Sequence, residues 1–259
     1  MIPKFVRRSL MILSGLLCPL CFLQAYAAGS FDYSSYDSLL KKYVSGGKVD
    51  YLKWKKEDLG IFDQYINSFA KASLVDLSKN EQKAFWINTY NALTIYAVLR
   101  HIPANGLLAK VFSVQMVSGF FDKITYTVAG ETLTLNDIET KKLREVLRDP
   151  RIHFALVCAS RSCPEIQNTV FTAQGLEERL DEATRDFIGD GSRNRLDRKS
   201  GELHLSEIFK WYDSDFIASA GTVIDFVKRY MGKEASRHLS YNTVKIKYLF
   251  YDWLVNIKS

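Results

Sequence analysis

The stretch from Ser78 to about His101 constrains the fold of this chain more than any other part. Ser78 and Glu81 have the spacing of a capping box, in which each side chain binds the backbone N–H of the other residue, and this predicts a helix start. Pro103 predicts the end, because proline does not continue a helix. Apolar side chains occur on nearly every face of this helix: Phe85, Trp86, Ile87, Tyr90, Ala92, Leu93, Ile95, Tyr96 and Val98. A helix of this kind lies deep in the core.

Two asparagines interrupt the apolar surface of this helix. Asn88 and Asn91 are three residues apart, so they share one face. Burying a side-chain amide without partners costs about 1–3 kcal/mol, and both amides are therefore expected to be hydrogen-bonded. Two interpretations stay open: the asparagines tie down loop backbone, or they orient a catalytic group or a substrate.

The N-terminus has the pattern of a secretory signal peptide. A basic start is followed by an apolar run at 10–23, and Ala25-Tyr26-Ala27 fits the small-x-small motif that signal peptidase requires. We predict a signal peptide over residues 1–27, cleavage after Ala27 and delivery to the bacterial periplasm, an oxidising compartment. The apolar run is shorter than the roughly 20 residues that span a bilayer, so no membrane span is expected after cleavage.

Cleavage would leave 232 residues with a formal net charge of +3, which is too small a charge to indicate nucleic-acid binding. No repeat or proline-rich linker divides this length, so residues 28–259 are predicted to form a single domain. Helix-type and strand-type patterns both occur along the chain. They predict a mixed α/β (α+β) fold in which the buried central helix packs on a mixed or antiparallel sheet.

Local patterns predict the remaining elements. Residues 123–128 and 131–135, on either side of Ala129-Gly130, are typical of a β-hairpin, after which Asn136 or Asp137 caps a short helix through Leu147. The other predicted elements are a strand at 151–159, a helix at 172–188, a short strand at 202–206, a helix at 223–231 and a buried terminal strand at 244–253.

Both cysteines of the mature chain lie within six positions, as Cys158 and Cys163. In an oxidising compartment such a pair is compatible with a loop disulfide, with a cysteine nucleophile or with a redox-active pair, and these three interpretations stay open. A metal site is disfavoured because Cys-x4-Cys lacks a second pair of suitably spaced ligands. No cofactor is predicted.

Cys163 is the preferred nucleophile of the two. Pro164 follows it, and proline is favoured at the first position of a helix, which would make Cys163 the N-cap. The helix dipole and the nearby Arg161 would then stabilise the thiolate and lower its pKa. Cys158 is predicted to face away from His153, because side chains alternate along the predicted strand that holds both.

Among the histidines, His153 is the candidate general base. It begins a stretch of apolar residues, so its imidazole needs polar partners, and the face that carries Asn88 and Asn91 is positioned to supply them. The other histidines are interpreted as structural or surface residues: His101, His204 and His238.

Several motifs follow one another along the mature chain: Val49-Asp50-Tyr51, Phe85-Trp86-Ile87-Asn88, Tyr90-Asn91-Ala92, Leu135-Asn136-Asp137-Ile138-Glu139, Asp149-Pro150-Arg151-Ile152-His153-Phe154-Ala155-Leu156, Cys158-Ala159-Ser160, Ser162-Cys163-Pro164, Ile208-Phe209-Lys210-Trp211-Tyr212, Asp215-Phe216 and Tyr251-Asp252-Trp253. In combination they resemble the bacterial members of the domain-of-unknown-function family 547. The resemblance implies a shared fold and a site around the cysteines. It also implies a relation to papain-like or transglutaminase-like cysteine hydrolases.

One position departs from the pattern of that family. The resemblance places Glu139 at the site, and the family usually has a histidine directly after this glutamate, whereas this chain has Thr140. If that histidine is the general base in the relatives, this protein uses His153 instead or is catalytically weakened.

The leading hypothesis is a periplasmic cysteine-dependent hydrolase or acyltransferase that acts on an amide or thioester of a small molecule or peptide. Cys163 or Cys158 is the nucleophile, and His153 accepts and returns the proton. The other predicted participants are Asn88, Asn91 and Glu139 in the catalytic group, backbone N–H groups near Ser162 and Cys163 in the oxyanion hole, and Ser160, Arg161, Trp211 and Tyr212 in substrate binding.

The alternative hypothesis is a non-catalytic module that binds a peptide or a glycan. Its binding surface would be the aromatic-rich region that includes Trp211 and Tyr212. In this case Cys158 and Cys163 form a structural disulfide.

Overall fold

The computed structural model describes residues 31–258 of the chain. The predicted signal peptide 1–27, with cleavage after Ala27, lies outside the described residues. The α-helices are α1 Ser34–Tyr43, α2 Tyr51–Glu57, α3 Leu59–Ser68, α4 Lys79–His101, α5 Gly106–Lys110, α6 Leu135–Asp137, α7 Glu145–Leu147, α8 Leu176–Gly189, α9 Ile208–Trp211, α10 Asp213–Ala220, α11 Val223–Tyr230 and α12 Lys233–Tyr241. A π-helical segment, Ile138–Arg144, joins α6 to α7.

The strands form small sheets. They are β1 Val44–Ser45, β2 Lys48–Val49, β3 Tyr126–Val128, β4 Glu131–Leu133, β5 Arg195–Asp197, β6 Glu202–Ser206 and β7 Lys245–Leu249. β1 pairs with β2 and β3 with β4, both antiparallel. β6 pairs antiparallel with β5 and parallel with β7. Helices and small sheets in one domain confirm the predicted mixed α/β class.

The helix α4 is confirmed as the buried centre of the fold. Ser78 Oγ accepts a hydrogen bond from the N–H of Glu81 at 3.3 Å, and the Glu81 carboxylate accepts from the N–H of Ser78 at 2.8 Å. The helix ends at His101, just before Pro103. The elements that pack most extensively on α4 are helical, namely α2, α3 and the π-helical segment, rather than the sheet that the sequence predicted.

Two hydrophobic clusters make up the core. The larger one surrounds α4, and the smaller one is built on rings that include Phe154, Phe209 and Phe216. Cys158 and Trp253 pack against both clusters. The segment with the two cysteines therefore lies where the clusters meet.

The predicted strand 151–159 is wrong. Pro150–Phe154 forms a 3₁₀-helix, and its N-cap Asp149 accepts a hydrogen bond at 3.1 Å from the backbone N–H two residues later. An aspartate N-cap followed by proline at the first position is a helix-start signal, and it overrides the apolar run that suggested a strand. Strand alternation does not apply here, so the inference that His153 and Cys158 face opposite ways fails with it.

The predicted helix after Cys163 is absent. Residues 164–175 contain no helix, and α8 begins at Leu176. A proline permits a helix start but does not cause one, and Cys163 lacks the side-chain oxygen of a good N-cap. The helix dipole therefore cannot stabilise a Cys163 thiolate.

The hairpin at β3 and β4 is confirmed, but the predicted cap of the next helix is wrong. Ala129 and Gly130 both adopt positive φ, 51° and 78°, as a tight two-residue hairpin turn requires. Thr134, rather than Asn136 or Asp137, is the N-cap: its Oγ1 accepts from the N–H of Asp137 at 3.0 Å. The capping residue lies two or three residues earlier because the strand ends at Leu133, sooner than the apolar pattern suggested.

The predicted buried terminal strand 244–253 is also wrong in length and burial. β7 covers only Lys245–Leu249, at the edge of its sheet, and Phe250 after it is 91% exposed. An edge strand pairs on one side only, so its aromatic residues do not all reach the core. Within residues 31–258, no helix has the length and apolar character needed to cross a membrane.

Candidate active site

An open cavity of about 350 Å³ lies beside the two cysteines. Its walls come from α4, the π-helical segment, the 3₁₀-helix with its following loop, α9 and the segment after β7. The lining includes side chains that could take part in catalysis or ligand binding: Tyr90, Glu139, His153, Cys158, Trp211, Tyr212 and Tyr251. A concave, mainly apolar cavity with a few converging polar groups is the usual form of a small-molecule site.

The Cys158 thiol is the most polarised group in this cavity. Its Sγ lies 3.0 Å from Ser160 Oγ and 3.1 Å from Tyr251 Oη. Burial disfavours the thiolate, but hydrogen bonds from Cys163, Ser160 and Tyr251 outweigh burial and lower the pKa of Cys158 to about 7. The lowered pKa favours the thiolate of Cys158 near neutral pH, and the thiolate is the nucleophilic form.

Cys163 has the opposite character. Its exposed fraction is 4%, and burial together with the adjacent Cys158 raises the pKa of its thiol well above the usual value. Its Sγ accepts a hydrogen bond from the backbone N–H of Cys158 at 2.7 Å. Both thiols are free. The geometry therefore favours Cys158 as the nucleophile, the reverse of the preference drawn from the sequence.

The backbone next to Cys158 is held in a strained turn. Ala159 has a φ of 61°, in the left-handed region that a residue with a Cβ rarely adopts. The carbonyl of Ala159 accepts from the N–H of Asn256 at 3.0 Å, and the N–H of Arg161 donates to the carbonyl of Leu254 at 2.8 Å. The C-terminal segment thus holds the turn in a conformation of the kind that concentrates at functional sites.

The predicted oxyanion hole at Ser162 and Cys163 is not available. The N–H of Ser162 donates to the carbonyl of Asp252 at 3.3 Å, and the N–H of Cys163 donates to the carbonyl of Ser160 at 3.2 Å. Both donors are used to hold the loop together. The hydroxyl of Tyr251 is the donor that the structure places in the cavity wall beside the sulfur.

His153 shares the cavity with Cys158, and one of its ring nitrogens is already bound. Nε2 lies 2.8 Å from Asp215 Oδ2, and the ring stacks on Tyr212 with 3.8 Å between centroids. In the neutral ring the Nε2–H donates a hydrogen bond to this carboxylate, which leaves the lone pair on Nδ1, and Nδ1 has no hydrogen-bond partner among the described residues. Within residues 31–258, no hydrogen bond joins the imidazole to either thiol, so hydroxyls rather than the histidine polarise the Cys158 sulfur.

Asp215 is the participant that sequence reasoning missed. Its hydrogen bond with His153, together with Arg144, outweighs burial and holds the pKa of Asp215 well below its usual range. Arg144 binds both carboxylate oxygens, with Nε and Nη2 at 2.8 and 3.0 Å. His153 and Asp215 are 62 positions apart, so no spacing rule connects them. The motif Asp215-Phe216 in the family resemblance was the only available signal.

Asn88 and Asn91 bind loop backbone, which confirms the first of the two interpretations. Asn88 Nδ2 donates to the carbonyl of Phe171 at 2.7 Å, and its Oδ1 accepts from the N–H of Phe171 at 2.9 Å. Asn91 binds the carbonyl of Ala155 and the N–H of Val157 in the same way, both at 2.9 Å. Among the described residues, neither amide forms a hydrogen bond with a side chain of the proposed catalytic group.

Asn91 holds the backbone that separates His153 from Cys158, which makes it a positioning residue. Replacing Asn91 by alanine is expected to lower the free energy of unfolding by about 2–5 kcal/mol, because a buried N–H and a buried C=O lose their partners. Urea unfolding followed by circular dichroism measures the change. Thr94→Val is the matched control: Thr94 is fully buried in the same helix, but its hydroxyl has no partner among the described residues. Similar losses in both variants would contradict the role of Asn91.

The residues predicted to bind substrate divide into two groups. Trp211 and Tyr212 line the cavity. Ser160 is only 1% exposed and contacts the Cys158 sulfur rather than open space. Arg161 lies outside this cavity and pairs with Asp252 at 3.5 Å, so the structure brings it neither to the substrate space nor to the thiolate.

Glu139 and its neighbour Thr140 face different spaces. Glu139 lines the cysteine cavity, whereas Thr140 lines a separate pocket of about 410 Å³ that also includes Asp215. His153 is the histidine that shares the cavity with Cys158. The cavity therefore contains a histidine although position 140 is a threonine. This is what the first alternative, the use of His153 as the base, requires.

Comparison with known proteins identifies one family. The family model described as a protein of unknown function, DUF547, matches residues 74–188. No curated protein and no solved structure matches the chain. Across residues 31–258, no group of three or more His, Cys, Asp or Glu side chains is arranged to hold a metal ion.

Proposed function

Since this chain belongs, through residues 74–188, to the DUF547 family, whose function is unknown, we propose from its own site that it is a cysteine-dependent hydrolase or acyltransferase acting on an amide or thioester. One observation carries the proposal. Cys158, whose thiol pKa is lowered to about 7, lines the same cavity as His153, and Asp215 binds Nε2 of that histidine.

The first half of the reaction forms an acyl-enzyme. The Cys158 thiolate attacks the carbonyl carbon, a C–S bond forms, and the C=O electron pair moves onto oxygen beside the Tyr251 hydroxyl. When the tetrahedral intermediate collapses, the C–N or C–S bond of the substrate breaks. The leaving group takes the proton of Nδ1 from protonated His153, which becomes neutral.

The second half releases the acyl group. Neutral His153 accepts a proton at Nδ1 from water, or from an acceptor nucleophile, as that group attacks the thioester carbonyl. Cys158 leaves as the thiolate, and the imidazole is protonated again. Because hydroxyls already stabilise the thiolate, the histidine does not have to deprotonate the thiol, which agrees with the missing hydrogen bond between them.

An activated thioester tests this function without knowledge of the natural substrate. Incubation with S-phenyl thioacetate is expected to place one acetyl group on Cys158, detected by intact mass and peptide mapping, and to release thiophenol with turnover. Cys158→Ala is expected to take no acetyl group. No acetylation of the wild-type protein, or acetylation equal in both proteins, would overturn the proposal.

A second candidate function has its own observation. Trp211 is 43% exposed and stacks against Trp253 with 5.5 Å between ring centroids, as in surfaces that bind peptides or sugars. A non-catalytic binding module would use this surface and would tolerate a Cys158–Cys163 disulfide. A periplasmic location, which rests on the predicted signal peptide, suits either function because that compartment permits both extracellular-type substrates and disulfides.

A further inference from the structure

Glu139 is a buried carboxylate that no cation of the described chain neutralises. The residue is 8% exposed, and Oε2 accepts a hydrogen bond from Tyr90 Oη at 3.4 Å. The hydroxyl of Tyr212 also forms a hydrogen bond with this carboxylate. No Lys, Arg or His within residues 31–258 forms an ion pair with either oxygen.

A carboxylate in this situation calls for a positive charge from elsewhere. Burying an ionised group is costly unless it is paired and hydrogen-bonded. Arg144 interacts with Glu139 only at longer range, and both of its hydrogen bonds go to Asp215. Glu139 therefore has no ion-pair partner within 4 Å among the described residues, and it lines the cavity.

The rest of the cavity also favours a positively charged ligand. Asp122 at its rim adds a second carboxylate, and no lysine or arginine contributes to its lining. The walls carry six aromatic side chains: Tyr90, Phe121, Trp211, Tyr212, Tyr251 and Trp253. Aromatic faces attract organic cations, and the attraction is greatest where water is excluded.

The tyrosines beside Glu139 respond to its charge. Burial, and then the Glu139 carboxylate, raise the pKa of Tyr90 well above the ordinary value. Burial, the Glu139 carboxylate and a hydrogen bond to that carboxylate raise the pKa of Tyr212. Both phenols therefore stay protonated and neutral, but the Tyr212 ring already stacks on His153 and has the Arg144 guanidinium 5.0 Å from its centroid, so it is not counted among the rings open to a ligand cation.

We propose that this cavity binds a primary ammonium group, with Glu139 as its counter-ion and the aromatic walls around it. The substrate of the proposed reaction would then be an amide or thioester that carries an amino group, such as a peptide with a free amine. This role in substrate choice rests on the proposed function, whereas the binding of the cation does not. An ammonium ion brings three N–H donors, which match a single carboxylate such as Glu139 better than a metal ion that needs several ligands.

Binding of small probes to the Cys158→Ala protein tests the inference without any catalysis. Saturation-transfer NMR titrations would compare n-butylammonium with 1-butanol, its neutral isostere, and with tetramethylammonium, which has no N–H donor. We expect n-butylammonium to bind at least about tenfold more tightly than either. Equal binding of the alcohol would overturn the cation site, and equal binding of tetramethylammonium would overturn the assignment to a primary amine.

Variants of two glutamates assign the effect to one residue. Glu139→Gln keeps the size of the side chain and is expected to remove the preference for n-butylammonium. Glu145→Gln is the matched control, since Glu145 lies nearby in the chain but is exposed and outside the cavity. A preference that survives Glu139→Gln would contradict the role of Glu139; if that variant does not fold, the comparison of probes on the parent protein still decides.

The two proposals fail separately. Acetylation of Cys158 by S-phenyl thioacetate involves no amine, and probe binding to Cys158→Ala involves no thiol. Acetylation without a preference for n-butylammonium would remove only the ammonium site. A clear preference without acetylation would remove only the acyl-transfer function.

Discussion

Iodoacetamide is expected to label Cys158 alone in the folded protein, at a rate that rises with pH through an apparent pKa of about 7. Cys158 is partly exposed, whereas Cys163 is buried and has a raised pKa. An unperturbed cysteine with a pKa of about 8.5 is only about 3% ionised at pH 7, so Cys158 holds roughly fifteen times more thiolate there. Timed labelling across pH, with mass spectrometry to assign each site, measures this directly.

The hydrogen-bond donors around the sulfur predict how variants change the labelling. Tyr251→Phe and Ser160→Ala each remove a hydroxyl within about 3 Å of Sγ, so each is expected to raise the pKa of Cys158 and slow labelling at pH 7. Tyr248→Phe, in the exposed strand β7, is the matched control and is expected to leave the pKa unchanged. A rate that follows a pKa near that of free cysteine would show that the thiol is not activated.

Labelling that begins only after a reductant is added would have a different meaning. It would show that Cys158 and Cys163 form a disulfide in solution, although the structure has them as free thiols. In that case the binding module around Trp211 becomes the better function, and the acyl-transfer proposal falls.

The features that sequence predicted correctly depend on local physics. The side chains of Ser78 and Glu81 each accept a hydrogen bond from the backbone N–H of the other residue. The start of α4 therefore follows from residue types and spacing within four positions. The need of Asn88 and Asn91 for partners followed from the apolar residues around them. Their partners were not predictable, because Phe171 and Ala155 reach α4 only through the tertiary fold.

The features that sequence missed depend on contacts between distant segments. The sulfur of Cys158 is polarised by Tyr251, 93 positions away, and the order of the two cysteines as nucleophiles depends on that contact. A local rule, proline at the first turn of a helix, suggested Cys163 instead. At Pro150, where a strand was predicted instead, the rule does hold, because Asp149 supplies the cap. The rule needs both residues, and only one site had them.

His153 and Asp215 are expected to govern the release of the acyl group rather than its formation. With S-phenyl thioacetate the leaving thiolate needs no proton, so Cys158 acylation in His153→Gln and Asp215→Asn is expected to stay within about tenfold of the wild-type rate. Release to water does need a general base. A positioned base contributes roughly 10²–10⁴-fold, so turnover is expected to fall by that factor.

The expected signature is therefore a normal burst of thiophenol followed by almost no steady-state rate. Stopped-flow absorbance separates the two phases, and intact mass would show acetylated Cys158 accumulating in both variants. Asp213→Asn is the matched control, because Asp213 is exposed in the same helix, two residues from the one that binds the imidazole. It is expected to turn over at the wild-type rate.

The two variants also distinguish the role of the imidazole from that of its partner. Asp215 holds Nε2 and so leaves the lone pair of the neutral ring on Nδ1. Asp215→Asn removes this bias without removing the base, so its turnover is expected to fall less than that of His153→Gln, which has no base left. Steady-state rates that stay at the wild-type level in both variants would mean that a group other than His153 activates the water.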